Sequence, residues 1–289
     1  MVTGKASKTA LGVAIRRAAH QLIDRPPVLN DPIAVRLVGP GYRGKMGRAS
    51  HQVGRDFRAF MAARSRYVED RLAEAVQEGV SQYVILGAGL DTFAYRNPFP
   101  SLQVFEVDFP ATQEWKREML TEAGIALPES LVFVPLDFEH KALTEGLAEA
   151  GFDAGSMAFF GWLGVVPYLT MEAFRATLEA VAQMPAGSAI SFDYALAPEA
   201  LSPLGRKAFD GLAGRVAAAG EPFQLFFTPE EMEREVHRAG YTRLEQVDSE
   251  RLNELYFQNR ADGLKLSALG LGRLVTAWVL ASRASVAAR

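Results

Sequence analysis

Gln82-Tyr83-Val84-Ile85-Leu86 running directly into Gly87-Ala88-Gly89-Leu90-Asp91-Thr92 is the stretch on which the fold turns. Five residues dominated by β-branched, aromatic and aliphatic side chains, stopped by a glycine, describe a short buried strand and then a turn. Two more segments of this kind follow. Leu102-Gln103-Val104-Phe105-Glu106-Val107 ends at Asp108, and Leu131-Val132-Phe133-Val134 ends at Pro135. Ala111 to Ala123 between them, and Phe57 to Gln77 before them, carry apolar residues at helical spacing. Later, Met157-Ala158-Phe159-Phe160 and Ser188-Ala189-Ile190-Ser191-Phe192 flank a helical pattern from Met171 to Gln183. Parallel neighbours need crossover connections, and helices supply them economically, so strand and helix in alternation predict an open, doubly wound α/β sheet covered on both faces.

The flanks read differently. Residues 1 to about 56 contain Pro26-Pro27, Asn30-Asp31-Pro32 and glycines at Gly39, Gly41, Gly44 and Gly47, which break regular structure and suggest an N-terminal cap or lid. A second insert, about 197–227, is helix-like from Pro203 to Ala219 and could form the other half of a cover. Thr228-Pro229-Glu230-Glu231 supplies an N-cap, a proline at the first helical position and a carboxylate at the third, and Gly240 marks where that helix should end. Leu264 to Ala281 is apolar but interrupted by Lys265 and Arg273, too short for a bilayer, and is expected to be a buried or docking helix.

Composition narrows the chemistry. The chain has 289 residues, 49% hydrophobic and 22% charged, with no cysteine, so disulfide frameworks, thiolate zinc sites and cysteine nucleophiles drop out. The four histidines, His20, His51, His140 and His237, lack the short spacing that puts two imidazoles on one metal, and no metal site is expected. Lys and Arg number 31 against 34 Asp and Glu, and a formal charge of -3 offers no general attraction to nucleic acid or anionic lipid. The early apolar run Ala10 to Ile15 is shorter than a secretory core and leads into Arg16-Arg17, which makes a cytoplasmic protein the expectation.

The glycine turn follows the first strand, at the sheet edge where open α/β folds bind ligands, and glycines there let the backbone approach a ligand. Asp108 ends the next strand, 19 residues after Gly89, where an acid can accept the hydroxyls of a ribose. The third glycine of a dinucleotide fingerprint is replaced by Thr92, with Asp91 just before it, and a carboxylate there would repel a pyrophosphate. S-adenosylmethionine has ribose and adenine but no phosphate, and its methionine end is cationic, so it suits this turn better than NAD. Asp137 after the third strand could take the exocyclic amine of adenine, with Phe138 against its face. Taken singly, Asp91 could merely cap a helix, Asp137 could be a turn residue and Phe138 could be core.

The segments Phe60-Met61-Ala62-Ala63-Arg64-Ser65-Arg66, Gln82 to Thr92 with Tyr95-Arg96, Phe105-Glu106-Val107-Asp108 and Val134-Pro135-Leu136-Asp137-Phe138 resemble the bacterial branch of the leucine carboxyl methyltransferase family. The likeness runs from about Ser7 to Leu264. It implies a class I, Rossmann-like, S-adenosylmethionine-dependent methyltransferase, with an N-terminal cap (1–56), a main domain (57–289) and O-methyl transfer to a carboxylate of a small molecule or peptide. It further implies that Arg64 holds the cofactor's carboxylate, Gly87, with Ala88 and Gly89 in the same turn, lines its methionine end, Asp108 binds ribose, and Asp137 with Phe138 holds adenine. Arg66 is expected on the solvent face of its helix. One departure stands out: in Trp162-Leu163-Gly164-Val165-Val166-Pro167-Tyr168-Leu169, Leu163 occupies the place of a glutamate found in the eukaryotic members. Packing by Leu163 could still cover adenine or ribose, with altered affinity.

Methyl transfer from a sulfonium is a direct displacement in which position dominates, with the acceptor oxygen held about 3 Å from the methyl carbon. A carboxylate acceptor is already ionised at pH 7 and needs no general base. Should one be needed, His20, Asp193 and Tyr194 are the candidates, each open to a structural role, and Tyr168 is a candidate substrate contact. Arg17 and Arg96 are candidate cations for an anionic acceptor, Arg96 equally a candidate for an internal ion pair. Two other functions stay open at this point: an NAD(P)-dependent oxidoreductase on a similar sheet, and a cofactor-binding module without catalysis.

Overall fold

A computed structural model describes residues 8–42, 52–137, 141–218, 220–267 and 270–280. Helices α1 (Lys8–Ile23), α2 (Pro32–Val38) and α3 (Gln52–Gln77) precede the first strand, β1 (Gln82–Leu86). There follow β2 (Gln103–Asp108), α4 (Pro110–Glu122), β3 (Leu131–Pro135), α5 (Leu143–Glu149), β4 (Ala158–Trp162), α6 (Met171–Ala182) and β5 (Ala189–Ala195). The chain then forms α7 (Pro203–Ala218), α8 (Pro229–Arg238), β6 (Arg243–Val247), α9 (Ser249–Tyr256) and β7 (Gly272–Trp278). The seven strands lie in the order β3-β2-β1-β4-β5-β7-β6. β1 to β5 are parallel, and β7 runs antiparallel to both β5 and β6.

The central strands are buried on both faces, which is why they read as nearly continuous apolar runs. Val84 and Leu86 of β1 enter one core with Phe105, Phe160, Phe174 and Ile190, whereas Tyr83 and Ile85 enter the other with Ala62, Leu72 and Val104. A third cluster joins Ala14, Ala18 and Ala19 of α1 and Leu37 of α2 to Leu90 and to Leu120 of α4. The helix opening at Thr228 is a complete capping box, with Thr228 and Glu231 each accepting the other's backbone N–H.

The expected helix over Leu264 to Ala281 is corrected: residues Gly272–Trp278 are strand β7. Inserted between β5 and β6, β7 is covered on both sides, and Leu274, Val275, Thr276 and Ala277 are all buried, so its apolar residues run on without alternating. Periodicity cannot separate such a run from a buried helix; the β-branched pair Val275-Thr276 and the glycines at 270 and 272 were the strand signals. β6 escaped notice for the opposite reason. It is an edge strand, and Arg243, Glu245 and Gln246 give it the polar character that edges require. Gly44 and Gly47 lie outside the described residues.

Candidate active site

The turn after β1 is strapped to its neighbour strand. Gly87 and Ala88 donate their N–H groups to the Val107 carbonyl at 2.8 and 3.0 Å. Gly87 and Gly89 have φ of 65° and 45°, the left-handed region that favours glycine. Space is short as well: a Cβ on Gly87 would run into the Val165 side chain, and one on Gly89 would lie 3.1 Å from Ala10 of α1. The start of α1 therefore crosses directly over the glycine turn. Asp108, at the carboxyl end of β2, accepts the Gly89 N–H at 2.5 Å and the Phe109 N–H at 2.7 Å. It is 8% exposed; burial pushes its carboxyl up, and these N–H donors only partly offset that. Each oxygen retains acceptor capacity beyond its backbone bond.

One strand over, a second cluster forms at the ends of β4 and β5. Asp193 accepts from Arg64 Nη1 at 2.7 Å and from the Gly164 N–H at 2.5 Å. Gly164 has φ 72°, and a Cβ there would meet the Arg64 guanidinium at 3.0 Å. Arg64 comes from α3, so helix, turn and strand converge on one ion pair. Its Nε is buried and without a hydrogen-bond partner among the described residues. Tyr168, half-buried at the end of the next turn, lies close enough for its hydroxyl to feel Arg64 and Asp193 and hydrogen-bonds Thr9 of α1. Burial pushes that hydroxyl up to about 12. Leu163 is half-buried and packs on the core that contains Ile85 and Ala88.

Arg17 and Arg96 stand in a different arrangement. Arg17 donates to Asp31 from Nε at 2.9 Å, to Asp91 from Nη1 at 2.6 Å and to Thr92 Oγ1 from Nη2 at 2.9 Å. Thr92 in turn donates to Asp31 at 2.7 Å. Arg96 makes a two-pronged pair with Glu69 and approaches Asp31 at 3.4 Å. Both arginines thus hold elements together. Asp91 also accepts the Phe93 N–H at 2.7 Å, at the start of the short turn of helix Phe93–Arg96, whose N-cap position is Thr92. Burial opposes ionisation of Asp91, but Arg17, with Lys116 and Arg96, outweighs it and holds the carboxyl down to about 2. Because Arg17 meets this charge, the repulsion of a pyrophosphate expected from Asp91 alone is weakened.

His20 is fully buried, with Nδ1 bonded to Asp24 at 2.7 Å and Nε2 accepting the Val28 and Leu29 N–H groups at 2.8 and 3.3 Å. That pattern assigns the neutral tautomer with hydrogen on Nδ1 and leaves no nitrogen for a substrate. Tyr194 is 1% exposed and donates to Gln246 at 2.7 Å, facing β6. Arg66 is exposed and pairs with Asp70. Asp137 is half-buried one residue beyond Leu136, whose N–H joins the Asp108 carbonyl at 2.9 Å; Phe138 lies outside the described residues. Two associations escaped sequence reasoning: Arg64 with Asp193, 129 positions apart, and Arg17 with Asp31 and Asp91. No local pattern announces either.

The fold and the convergence of glycine turn, acid and arginine at the carboxyl edge define a Rossmann-like sheet of the class I methyltransferase type. The leucine carboxyl methyltransferase family pattern matches residues 10–182, and the chain belongs to that family. It is 38% identical over 205 residues to "Putative S-adenosyl-L-methionine-dependent methyltransferase YktD" of Bacillus subtilis, covering 70% of this chain and 67% of that protein. A Mycobacteroides abscessus protein of the same description is 36% identical over 200 residues, covering 66% and 64%. A Streptomyces avermitilis protein of the duf574 family superposes with a TM-score of 0.59 at 18% identity, over 96% of this chain and 98% of that one. At that identity the likeness concerns the fold.

Proposed function

We propose that this protein is an S-adenosyl-L-methionine-dependent O-methyltransferase whose acceptor is a carboxylate of a small molecule or peptide. The observation that carries the cofactor assignment is Asp108, a buried carboxylate at the end of β2 whose two oxygens are each anchored by one backbone N–H, from Gly89 and Phe109. So fixed, Asp108 can accept ribose hydroxyls without reorganising, because its rotamer is already held. Gly87, Ala88 and Gly89 form the turn beside Asp108, with Val165 and Ala10 packed against the two glycines, and Arg64, held by Asp193 next to that turn, supplies a cation for a carboxylate. Asp137, at the end of β3, stands where adenine would follow ribose, and Leu163 supplies apolar cover. The names of the relatives support the same cofactor.

When bound, S-adenosylmethionine supplies an electrophilic methyl group on a sulfonium. The chain's own part is to orient, to exclude water and to leave the acceptor ionised. The described residues of 1–56 and of the insert at about 197–227 form the cover. Thr9 Oγ1 of α1 donates to Glu221 at 2.5 Å, and the backbone N–H groups of Gln224 and Leu225 reach the Pro167 carbonyl at 2.7 and 3.2 Å. Those bonds draw both covers onto the turn that bears Tyr168. With its hydroxyl pushed up to about 12 and its proton engaged by Thr9 Oγ1, which itself donates to Glu221, Tyr168 ties down the cover and does not serve as a base. A carboxylate acceptor requires no proton transfer, in keeping with the internal bonding of His20 and Tyr194.

Calorimetry with S-adenosylmethionine, S-adenosylhomocysteine and NAD tests the cofactor: saturable binding of the first two is expected, and loss of at least about tenfold in Asp108→Ala, the value of a hydrogen bond to a charged group. Heat with NAD alone would overturn the assignment. A radiolabelled methyl-transfer screen of carboxylic acids against matched phenols and alcohols tests the acceptor; base-labile methyl esters are expected, and labelled ethers alone would refute the carboxylate.

A further inference from the structure

The geometry points to Arg64 and Asp193 acting together as a receptor for an α-amino acid headgroup, with Asp193 accepting the ammonium group of the cofactor's methionine end. This inference rests on the cofactor reading above.

Three observations carry it. First, the pair is an opposite-charge couple at the sheet's carboxyl edge, Nη1 to Oδ2 at 2.7 Å, with side chains 8% and 9% exposed. It is buried enough to be rigid and open enough to be reached. Secondly, neither partner is saturated. Arg64 keeps a buried Nε with no partner among the described residues, and each Asp193 oxygen uses one of its acceptor positions, Oδ2 on Arg64 and Oδ1 on the Gly164 N–H. Thirdly, the pair adjoins the glycine turn. Gly164 touches the guanidinium, the following Val165 fills the space that a side chain on Gly87 would need, and both glycines have positive φ. A ligand running along the Gly87 turn therefore arrives beside a cation and an anion held 2.7 Å apart.

That juxtaposition matches a zwitterion. An α-amino acid presents a carboxylate and an ammonium two bonds apart, and a fixed arginine–carboxylate couple offers each its complement with no net charge transferred into the site. A pyrophosphate would gain from Arg64 but be repelled by Asp193, which restores the discrimination against dinucleotides that Arg17 takes from Asp91. The general-base role considered for Asp193 is set aside in this account, since both its oxygens are anchored.

The test compares binding of S-adenosylhomocysteine, its deamino analogue and 5′-methylthioadenosine, which lacks the amino acid end, to the wild type and to Asp193→Asn. The expected results are that the wild type binds the deamino analogue at least about tenfold more weakly than S-adenosylhomocysteine, and that Asp193→Asn weakens S-adenosylhomocysteine by a similar factor while changing the deamino analogue and methylthioadenosine less than about threefold. Equal wild-type affinity for the amino and deamino compounds would overturn the inference without any variant being made. Equal weakening of all three ligands in Asp193→Asn would also overturn it, leaving Asp193 a support for the Gly164 turn. If the wild type binds methylthioadenosine as well as S-adenosylhomocysteine, the headgroup receptor fails and the adenosyl site survives. If it binds none of the three, the cofactor reading fails and takes this one with it.

Discussion

Replacing Arg17 by alanine should destabilise the fold strongly. Arg17 is 3% exposed and faces two acids, Asp31 with its side chain wholly buried and Asp91 with 21% of its side chain exposed. Removing one partner of a buried ion pair costs about 3–5 kcal/mol, because the other charge stays behind in a poor solvent. Asp31 keeps its cap bond to the Ala34 N–H and a looser approach from Arg96 at 3.4 Å, and Asp91 can reach water, so the lower end, about 3 kcal/mol, applies. For a chain of this size that is roughly 6–12 °C in Tm. The sign of the pH effect follows. In the wild type, Asp91 is held down to about 2, so its contribution is present above the unfolded value near 4 and is lost as pH falls towards 2. In the variant Asp91, buried without its cation, moves upward instead, so the penalty is present at neutral pH and relieved as Asp91 protonates. Calorimetric melts at pH 8, 6.5 and 5 should show a deficit that narrows towards acid. A variant melting within 2 °C of wild type, or a deficit constant across that range, would show that Arg17 does not carry this junction.

Glu106 and Lys116 form a fully buried pair at 2.6 Å, and burial pushes the Glu106 carboxyl up to about 7, Lys116 only partly offsetting it. Its contribution to stability is whole below the unfolded value and lost as pH rises through about 7, so Glu106→Gln with Lys116→Met should flatten the stability profile between pH 5 and 8. That double change should be near neutral in stability at pH 7, whereas Glu106→Gln alone should cost about 3–5 kcal/mol, both read by urea unfolding. Gly87→Ala forces a side chain into positive φ and against Val165, at about 2–4 kcal/mol together, and should weaken the cofactor complex more than the fold, checked by calorimetry beside thermal melts. His20→Ala strands the Val28 and Leu29 N–H groups and should lower Tm clearly, yet leave the shape of the pH–rate profile unchanged.

How legible the site was depended on the range of the interactions involved. Gly87, Gly89 and Asp108 were legible because a strand, its turn and the end of the next strand are joined by short connections, and Gly89 to Asp108 is a bond that sequence order nearly dictates. Strands β1 to β5 were legible because parallel, doubly covered strands are apolar throughout, and that same property disguised β7 as a helix. The polar edge strand β6 carried no hydrophobic pattern to read.

By itself the sequence determined the alternation of strands and helices, the parallel sheet it requires, the glycine turn, and the acids at the strand ends, since these follow from local propensity and side-chain period. Only the tertiary structure decided which charges meet. Arg17 turns inward to Asp31 and Asp91, Arg64 joins Asp193 from 129 positions away, and His20 is spent on Asp24 and two backbone groups. An ion pair is a contact in space with no preferred separation along the chain, so its partners emerge only when the packing of the whole molecule sets which buried charges face one another.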